Sequence, residues 1–149
     1  MFYFAYGSNI LRSRLENQKR RKRRIGQVID HGTGVLFGYT IKFNKTSIDR
    51  SGKTNIVKSD DLKVLGVIYE LTDEQINLLE EIEVGYKRSP VDIVLESNTI
   101  RADTFFANPE KVKDGLFPTR DYLNFLILGA KEHDFSEDYI EFLEKTEVK

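Results

Sequence analysis

Residues 2–9 read Phe-Tyr-Phe-Ala-Tyr-Gly-Ser-Asn. Phe2 to Tyr6 is a short apolar and aromatic run of the kind that fills a buried strand. It stops at Gly7-Ser8-Asn9, three small or polar residues that accept backbone angles resisted by bulky ones. Ile10, Leu11 and Leu15 then recur at helical spacing, with Arg12, Ser13 and Arg14 between them. A strand that breaks at such a turn and enters a short helix leaves several N–H groups aimed at one spot, where an anion binds. An ordinary strand-to-helix turn has the same composition, so the anion-site reading needs partners from elsewhere in the chain.

Working outward, Ile25 to Ile29 is a short apolar stretch closed by Asp30-His31-Gly32, and Val35 to Phe43 is a strand candidate. Asn44 to Asn55 has loop composition, and a loop of that length is often functional. Ile56-Val57 reads as a brief strand, Asp60-Asp61 as a turn, and Val64 to Leu71, β-branched and apolar, as a strand. Thr72 and Gln75 form a capping box for a helix from Asp73 to about Glu83, with Ile76, Leu79 and Ile82 facing the core and Gly85 stopping it. Pro90 opens a strand over Val91 to Leu95, which pairs as a hairpin with Ile100 to Ala107 across a turn at Asn98. After a loop from Asn108 to Pro118, Tyr122, Leu123, Leu126, Ile127 and Ala130 mark a helix over 119–131, and Ser136 caps a last helix carrying Tyr139, Ile140 and Leu143. Strands in runs with few, late helices indicate an α+β domain spanning 1–149, a small mixed barrel-like sheet with helices packed outside.

The 149 residues, 40% hydrophobic and 32% charged, suffice for one folded domain with a proper core. No apolar run approaches the ~20 residues of a membrane span. Phe2 to Tyr6 is too short for a secretory leader, and the basic residues follow it instead of leading it. Cysteine is absent, which removes disulfides, thiolate nucleophiles and Cys metal sites and agrees with a reducing, cytoplasmic setting. Charge is unevenly placed: residues 1–24 hold eight basic residues and one acid, and Lys19 to Arg24 are six consecutive cations. Such a run attracts phosphate, but no interleaved aromatics or helix-turn-helix pattern accompany it, so a solvated loop is expected and nucleic acid is not.

His31 and His133 are far apart and lack ligand spacing, so no metal is expected. Ser8 lacks a nucleophile elbow, and Gly7-Ser8-Asn9 lacks the Gly-Lys-Ser/Thr of a nucleotide loop. Carboxylate acid–base chemistry beside an anion-binding loop remains. On the helix, Glu83 lies one turn from Leu79 and two from Ile76, at the edge of the apolar stripe, whereas Glu80 and Glu81 rotate towards water. Burial and a helix C-terminus both disfavour the carboxylate anion and raise its pKa into the range of a general acid–base. The alternative is a partly exposed helix-end residue.

Tyr-Phe-Ala-Tyr-Gly-Ser-Asn at 3–9 resembles the N-terminal signature of the γ-glutamylcyclotransferases and their AIG2-like relatives. Four more segments match in order. They are Phe43 to Ile56 (Phe-x-Lys-x-Ser…Ser-Gly-Lys-x-Asn-Ile), Gly66-Val67-Ile68-Tyr69, Leu79 to Arg88 around the glutamate, and Pro118 to Lys131 with Tyr139 to Leu143 after it. The likeness spans nearly the whole chain. It departs at Glu80, where Asp is usual, at Val84, where Gly normally follows the catalytic Glu, at Thr119-Arg120 in place of a Ser-containing pair, and at Arg50.

The resemblance implies a barrel-like mixed sheet and release of 5-oxoproline from a γ-glutamyl compound, without metal or cofactor. It implies Glu83 as acid–base, Gly7, Ser8 and Asn9 as the carboxylate dock, and Ile10 as a further substrate-binding residue. Tyr6, Tyr86 and Tyr122 are pocket candidates, each with core packing as its alternative. Arg88 reads as an ordinary surface ion pair, with fixing of Tyr86 or an acid as its alternative. The small-molecule partner is then a γ-glutamyl amino acid; γ-glutamyl-amines, or a γ-glutamyl cap on a biosynthetic intermediate, are the second reading. A non-catalytic module binding small carboxylates, or an acidic partner through Lys19–Arg24, is the third. Monomer and homodimer remain equally open.

Overall fold

The computed structural model describes residues 1–149. Five strands close a mixed barrel in the order β1 (Phe2–Ala5), β5 (Gly52–Glu70), β4 (Ile29–Thr46), β6 (Tyr86–Leu95), β7 (Asn98–Ala107). All neighbours are antiparallel except β1 and β7, whose parallel pairing at Tyr3 and Asp103 closes the ring. Helices α1 (Arg12–Asn17), α2 (Asp73–Ile82), α3 (Arg120–Glu132) and α4 (Glu137–Glu144) pack outside, as the α+β reading expects. No helix is long and apolar enough to cross a membrane.

The barrel is filled by the inward side of each strand. Phe4, Val64, Ile68 and Ile93 are fully buried there. Tyr69, on the other face of β5, is buried with its hydroxyl on the Ile10 carbonyl (3.0 Å), and Leu79, Leu123, Leu126 and Leu143 anchor the helices against the core. Each fully buried Leu or Ile contributes about 1.5–3 kcal/mol. Thr72 accepts from the Gln75 N–H (3.1 Å) while the Gln75 side chain accepts from the Thr72 N–H (2.9 Å), so the expected capping box starts α2. Thr119 and Ser136 cap α3 and α4 one way only, accepting from the Tyr122 and Tyr139 N–H groups.

Several local expectations are corrected. The segment 44–55 is mostly strand: β4 and β5 form one long hairpin, and only Ser47 to Ser51 lies between them. Its polar residues sit on strands because pairing across the hairpin outweighs their local preference; Lys45, Thr54 and Asn55 are buried there, and Asn55 Oδ1 accepts from the Ala107 N–H (2.9 Å). Asp60-Asp61 does not end a strand. It belongs to an excursion of β5 opposite Gly38, where Phe37 pairs with Lys63 but Tyr39 pairs with Lys58. Such bulges give long strands the bend that barrel closure demands. Ile29 belongs to β4, and Pro90 lies inside β6, opposite Asp103, instead of opening it. Lys19 to Arg24 is exposed, as expected, but ordered into a small hairpin of β2 (Lys19–Arg20) and β3 (Arg23–Arg24). Arg20 donates to the Glu81 carbonyl (2.7 Å) and Arg23 pairs with the Glu81 carboxylate (2.8 Å), so two of the six cations are engaged by α2.

Candidate active site

One end of the barrel gathers the end of β1, the starts of β5 and β6, and the end of β7. A cavity of about 150 Å³ opens there, lined among others by Tyr6, Gly7, Ser8, Asn9, Glu83, Tyr86 and Tyr122. At ~30 Å³ per water this holds about five water volumes. Seven of the eight expected site residues therefore meet in one place, although they come from three separate parts of the chain. Ile10 does not join them. Its side chain is buried behind the loop against Gly129 of α3, and its N–H is bonded to the Gly7 carbonyl (3.1 Å).

The loop is built as the sequence suggests. Ser8–Ile10 forms one turn of 3₁₀ helix, closed by the Ile10 and Leu11 N–H groups on the Gly7 and Ser8 carbonyls. The N–H groups of Gly7, Ser8 and Asn9 are left without an acceptor in the chain. Gly7 is pressed against β5: a Cβ there would stand 2.3 Å from Thr54 Oγ1. Only glycine lets the loop approach this closely.

Glu83 caps the C-terminus of α2, its N–H bonded to the Leu79 carbonyl (2.9 Å). Asn9 Nδ2 donates to Glu83 Oε1 (3.3 Å) and to Tyr3 Oη (3.1 Å), and Gln18 Nε2 donates to Asn9 Oδ1 (3.1 Å). Burial raises the Glu83 pKa above the ordinary carboxylate range; Lys53, Lys45, Arg14 and the Asn9 hydrogen bond oppose the shift. The net direction is upward, as a proton-transfer group near neutrality requires. Val84, where the resembling sequences carry glycine, needs no left-handed backbone; that conformation falls on Gly85 (φ +87°), and the turn is intact. Glu80 stands near Arg88 (3.9 Å), which also faces Asp103 (3.6 Å), so Arg88 is a surface ion-pair residue as expected.

The three tyrosines line the cavity with their hydroxyls already engaged by protein. Tyr6 donates to the Phe105 carbonyl, Tyr86 to the Thr54 carbonyl (2.7 Å), and Tyr122 Oη meets both Thr54 Oγ1 (2.8 Å) and the Thr54 N–H (3.2 Å). They act as wall and as the clamp on Thr54. Burial raises the pKa of each. Sequence reading missed Tyr3, Arg14, Gln18, Lys53 and Thr54, which also line the cavity. Lys53 and Thr54 lie within the matched segment 43–56, which was the available signal; Arg14 and Gln18 carried none. Arg14 Nε is buried without a hydrogen-bond partner. No group of three or more His, Cys, Asp or Glu side chains is arranged to hold a metal ion.

A model of the AIG2-like family matches residues 63–143, more than half of the chain. No curated protein sequence matches significantly. Among solved structures, a gamma-glutamyl cyclotransferase superposes with TM-score 0.85 at 23% identity, over 99% of this chain and 88% of its own. An uncharacterised protein of Homo sapiens, loc79017, superposes with TM-score 0.82 at 24% identity over the same shares. YkqA from Bacillus subtilis does so with TM-score 0.78 at 20% identity, over the whole of this chain and 56% of its own. At these identities the superpositions establish the fold.

Proposed function

Because the chain belongs to the AIG2-like family, we propose that it is a γ-glutamylcyclotransferase that releases 5-oxoproline and a free amino acid from γ-glutamyl amino acids. The observation that carries this reading is the placement of a half-buried glutamate, Glu83, on the same cavity as a loop with three unengaged N–H groups. The α-carboxylate of the γ-glutamyl group docks on the N–H groups of Gly7, Ser8 and Asn9, with Arg14 supplying positive charge from the same cavity wall.

Glu83 as carboxylate takes a proton from the α-ammonium. The freed amine attacks the γ-carbonyl carbon of its own chain, forming a C–N bond and a five-membered ring. As the tetrahedral centre collapses, the bond to the leaving nitrogen breaks, and protonated Glu83 returns the proton to that nitrogen. The ring nitrogen then gives up its extra proton through the regenerated Glu83 carboxylate to the departing amine, leaving 5-oxoproline with a neutral ring amide, an ammonium product and ionised Glu83. Attack within one molecule needs only that the folded-back conformer be held, and orientation of this kind can supply several kcal/mol of barrier lowering, up to ~7–11. One residue serves as base and then acid, which suits a carboxyl with a raised pKa.

The test is incubation of the purified protein and its Glu83→Gln variant with γ-glutamyl dipeptides, γ-glutamyl-amines and glutathione, with 5-oxoproline quantified by mass spectrometry. Product from the native protein, and a drop of about 10²–10⁴-fold in the variant, is expected. An equally active variant would remove Glu83 from the chemistry.

A further inference from the structure

Beyond Glu83 from the inner cavity lies a second, wider depression of about 380 Å³, and Lys53, Ile82 and Glu83 line both. The outer space is also lined by Lys45 and Lys111. Lys45 and Lys53 are directly opposite each other in the β4–β5 register, a like-charge pairing that is unfavourable on its own. The bridge between Lys45 and Val112 brings the neighbouring Lys111 to the same place. A Cβ built on Gly85 would stand 3.1 Å from Lys45 Nζ and 3.4 Å from Lys111 Cγ. None of the three lysines has a carboxylate within 4.0 Å. Lys45 is nonetheless only 9% exposed. Its ammonium lies 5.1 Å from the Tyr86 ring centre, and that of Lys53 lies 5.6 Å from the Tyr122 ring centre. The rings steady both cations without neutralising them.

We propose that Lys45, Lys53 and Lys111 form a carboxylate-binding subsite for the leaving group, selecting γ-glutamyl compounds whose departing amine carries an anionic group over neutral γ-glutamyl-amines. The identity of the ligand rests on the cyclotransferase reading; its charge rests on the lysines. Glu83 must reach the leaving nitrogen to protonate it, so the substituents of that nitrogen run past Glu83 into the outer depression. A carboxylate there meets three unpaired ammonium groups and relieves their mutual repulsion. Burial, with repulsion from Lys53 and Lys111, holds the Lys45 pKa below its usual value, although the Glu83 charge pulls it upward.

The experiment is calorimetric titration of Glu83→Gln protein with γ-glutamyl-alanine, its C-terminal amide and γ-glutamyl-propylamine. Lys53→Met and Lys111→Met are then added singly to the same background, where changes in Glu83 ionisation cannot intrude. Kinetics of native protein on the same compounds run in parallel. Charge-assisted contacts to a carboxylate predict at least about tenfold tighter binding of γ-glutamyl-alanine than of either neutral compound. Each lysine replacement should cut that ratio by about threefold or more. Equal binding of all three compounds, or a ratio untouched by both replacements, would overturn the subsite. If the native protein turns over all three with equal kcat/KM, the subsite falls and the cyclisation reading stands. If it releases no 5-oxoproline while the lysine-dependent preference persists, the cyclisation reading falls and the anion subsite stands.

Discussion

Asn9 Nδ2 lies 3.3 Å from Glu83 Oε1, joining residues 74 positions apart in the sequence. The contact ties the strand-to-turn segment that opens the chain to the C-terminus of α2. It also fixes the direction in which the Glu83 carboxylate can act, because the second hydrogen of the same amide reaches for Tyr3. Gln18 holds the amide oxygen and so sets which way Asn9 faces.

Asn9→Ala is expected to lower kcat/KM by about 10–100-fold, the effect of losing a hydrogen bond to a charged group. Gln18→Ala, acting only through Asn9, should lose less, about 3–10-fold. Asn9→Asp is the sharper variant. A second carboxylate beside Glu83 disfavours its anion, so the acidic limb of the pH profile should move to higher pH. A flat response of that limb would show that Asn9 supports the loop without orienting the acid–base.

Glu83 also carries a stability cost with a definite pH dependence. Its pKa is raised on folding, so between the unfolded and folded values the folded state binds the extra proton. Stability is therefore greater below the unfolded pKa and declines as pH rises through the folded one. Glu83→Gln removes the charge, so the variant should melt above the native protein at pH 7, with the gap closing towards pH 4. Each ~1 kcal/mol corresponds to about 2–4 °C for a chain of this size. A constant gap across that range would rule out ionisation of Glu83 as its source.

The sequence made the site more legible than the hairpin that supports it. The run Phe2 to Asn9 announces a buried strand and a turn because apolar and small residues separate cleanly there, and the Glu83 face of α2 follows from a 3.6-residue period. The segment 44–55 misled because Asn, Ser, Lys and Gly have loop composition wherever they stand. Long-range pairing of β4 with β5 overrides that local preference, as at Lys42 opposite Asn55. Asp60-Asp61 misled similarly: the turn chemistry is real, but it makes an excursion inside a strand. Arg14 and Gln18 could not be foreseen, since only the packing of α1 against the loop aims them into the cavity. The tyrosines were legible as pocket residues. Their hydroxyl partners were not, because a carbonyl such as that of Thr54 carries no mark in the sequence.

Gly7→Ala should be severe for a steric reason. The new Cβ would overlap Thr54 Oγ1, which is itself bonded to Tyr122. Either the loop withdraws or the Thr54 clamp opens. A loss of about 1–3 kcal/mol in stability and a fall of more than about tenfold in kcat/KM are expected. Adding Thr54→Ala removes the overlapping atom, while the Thr54 Cβ, 3.5 Å from the new methyl, is tolerable. The double variant should therefore be more stable than the sum of the single losses. Strict additivity would mean that Thr54 is not what Gly7 avoids.

At the opposite end of the barrel, Asp30 Oδ2 lies 2.6 Å from His133 Nε2, while His133 Nδ1 faces the Gly129 carbonyl at 2.9 Å. Each ring nitrogen thus meets one oxygen, with the donor and acceptor roles set by the tautomer. The His133 side chain is 6% exposed and that of Asp30 is 20% exposed, so the bridge from β4 to the end of α3 is largely shielded from water. Asp30→Ala strands the buried ring and should cost about 2–4 kcal/mol, readable as a shift in the urea unfolding midpoint. His133→Phe keeps the shape and leaves Asp30 with the Gly32 N–H and access to water, so its cost should be smaller. Replacing both residues should recover part of the loss, because no unpaired partner then remains. Asp30 pairs with Tyr69 near the end of β5, whereas the cavity sits at the start of that strand, so kcat/KM of the folded variants should stay within about twofold of native. A large fall in kcat/KM with an unchanged unfolding midpoint would reverse this assignment and place the pair in the working of the site.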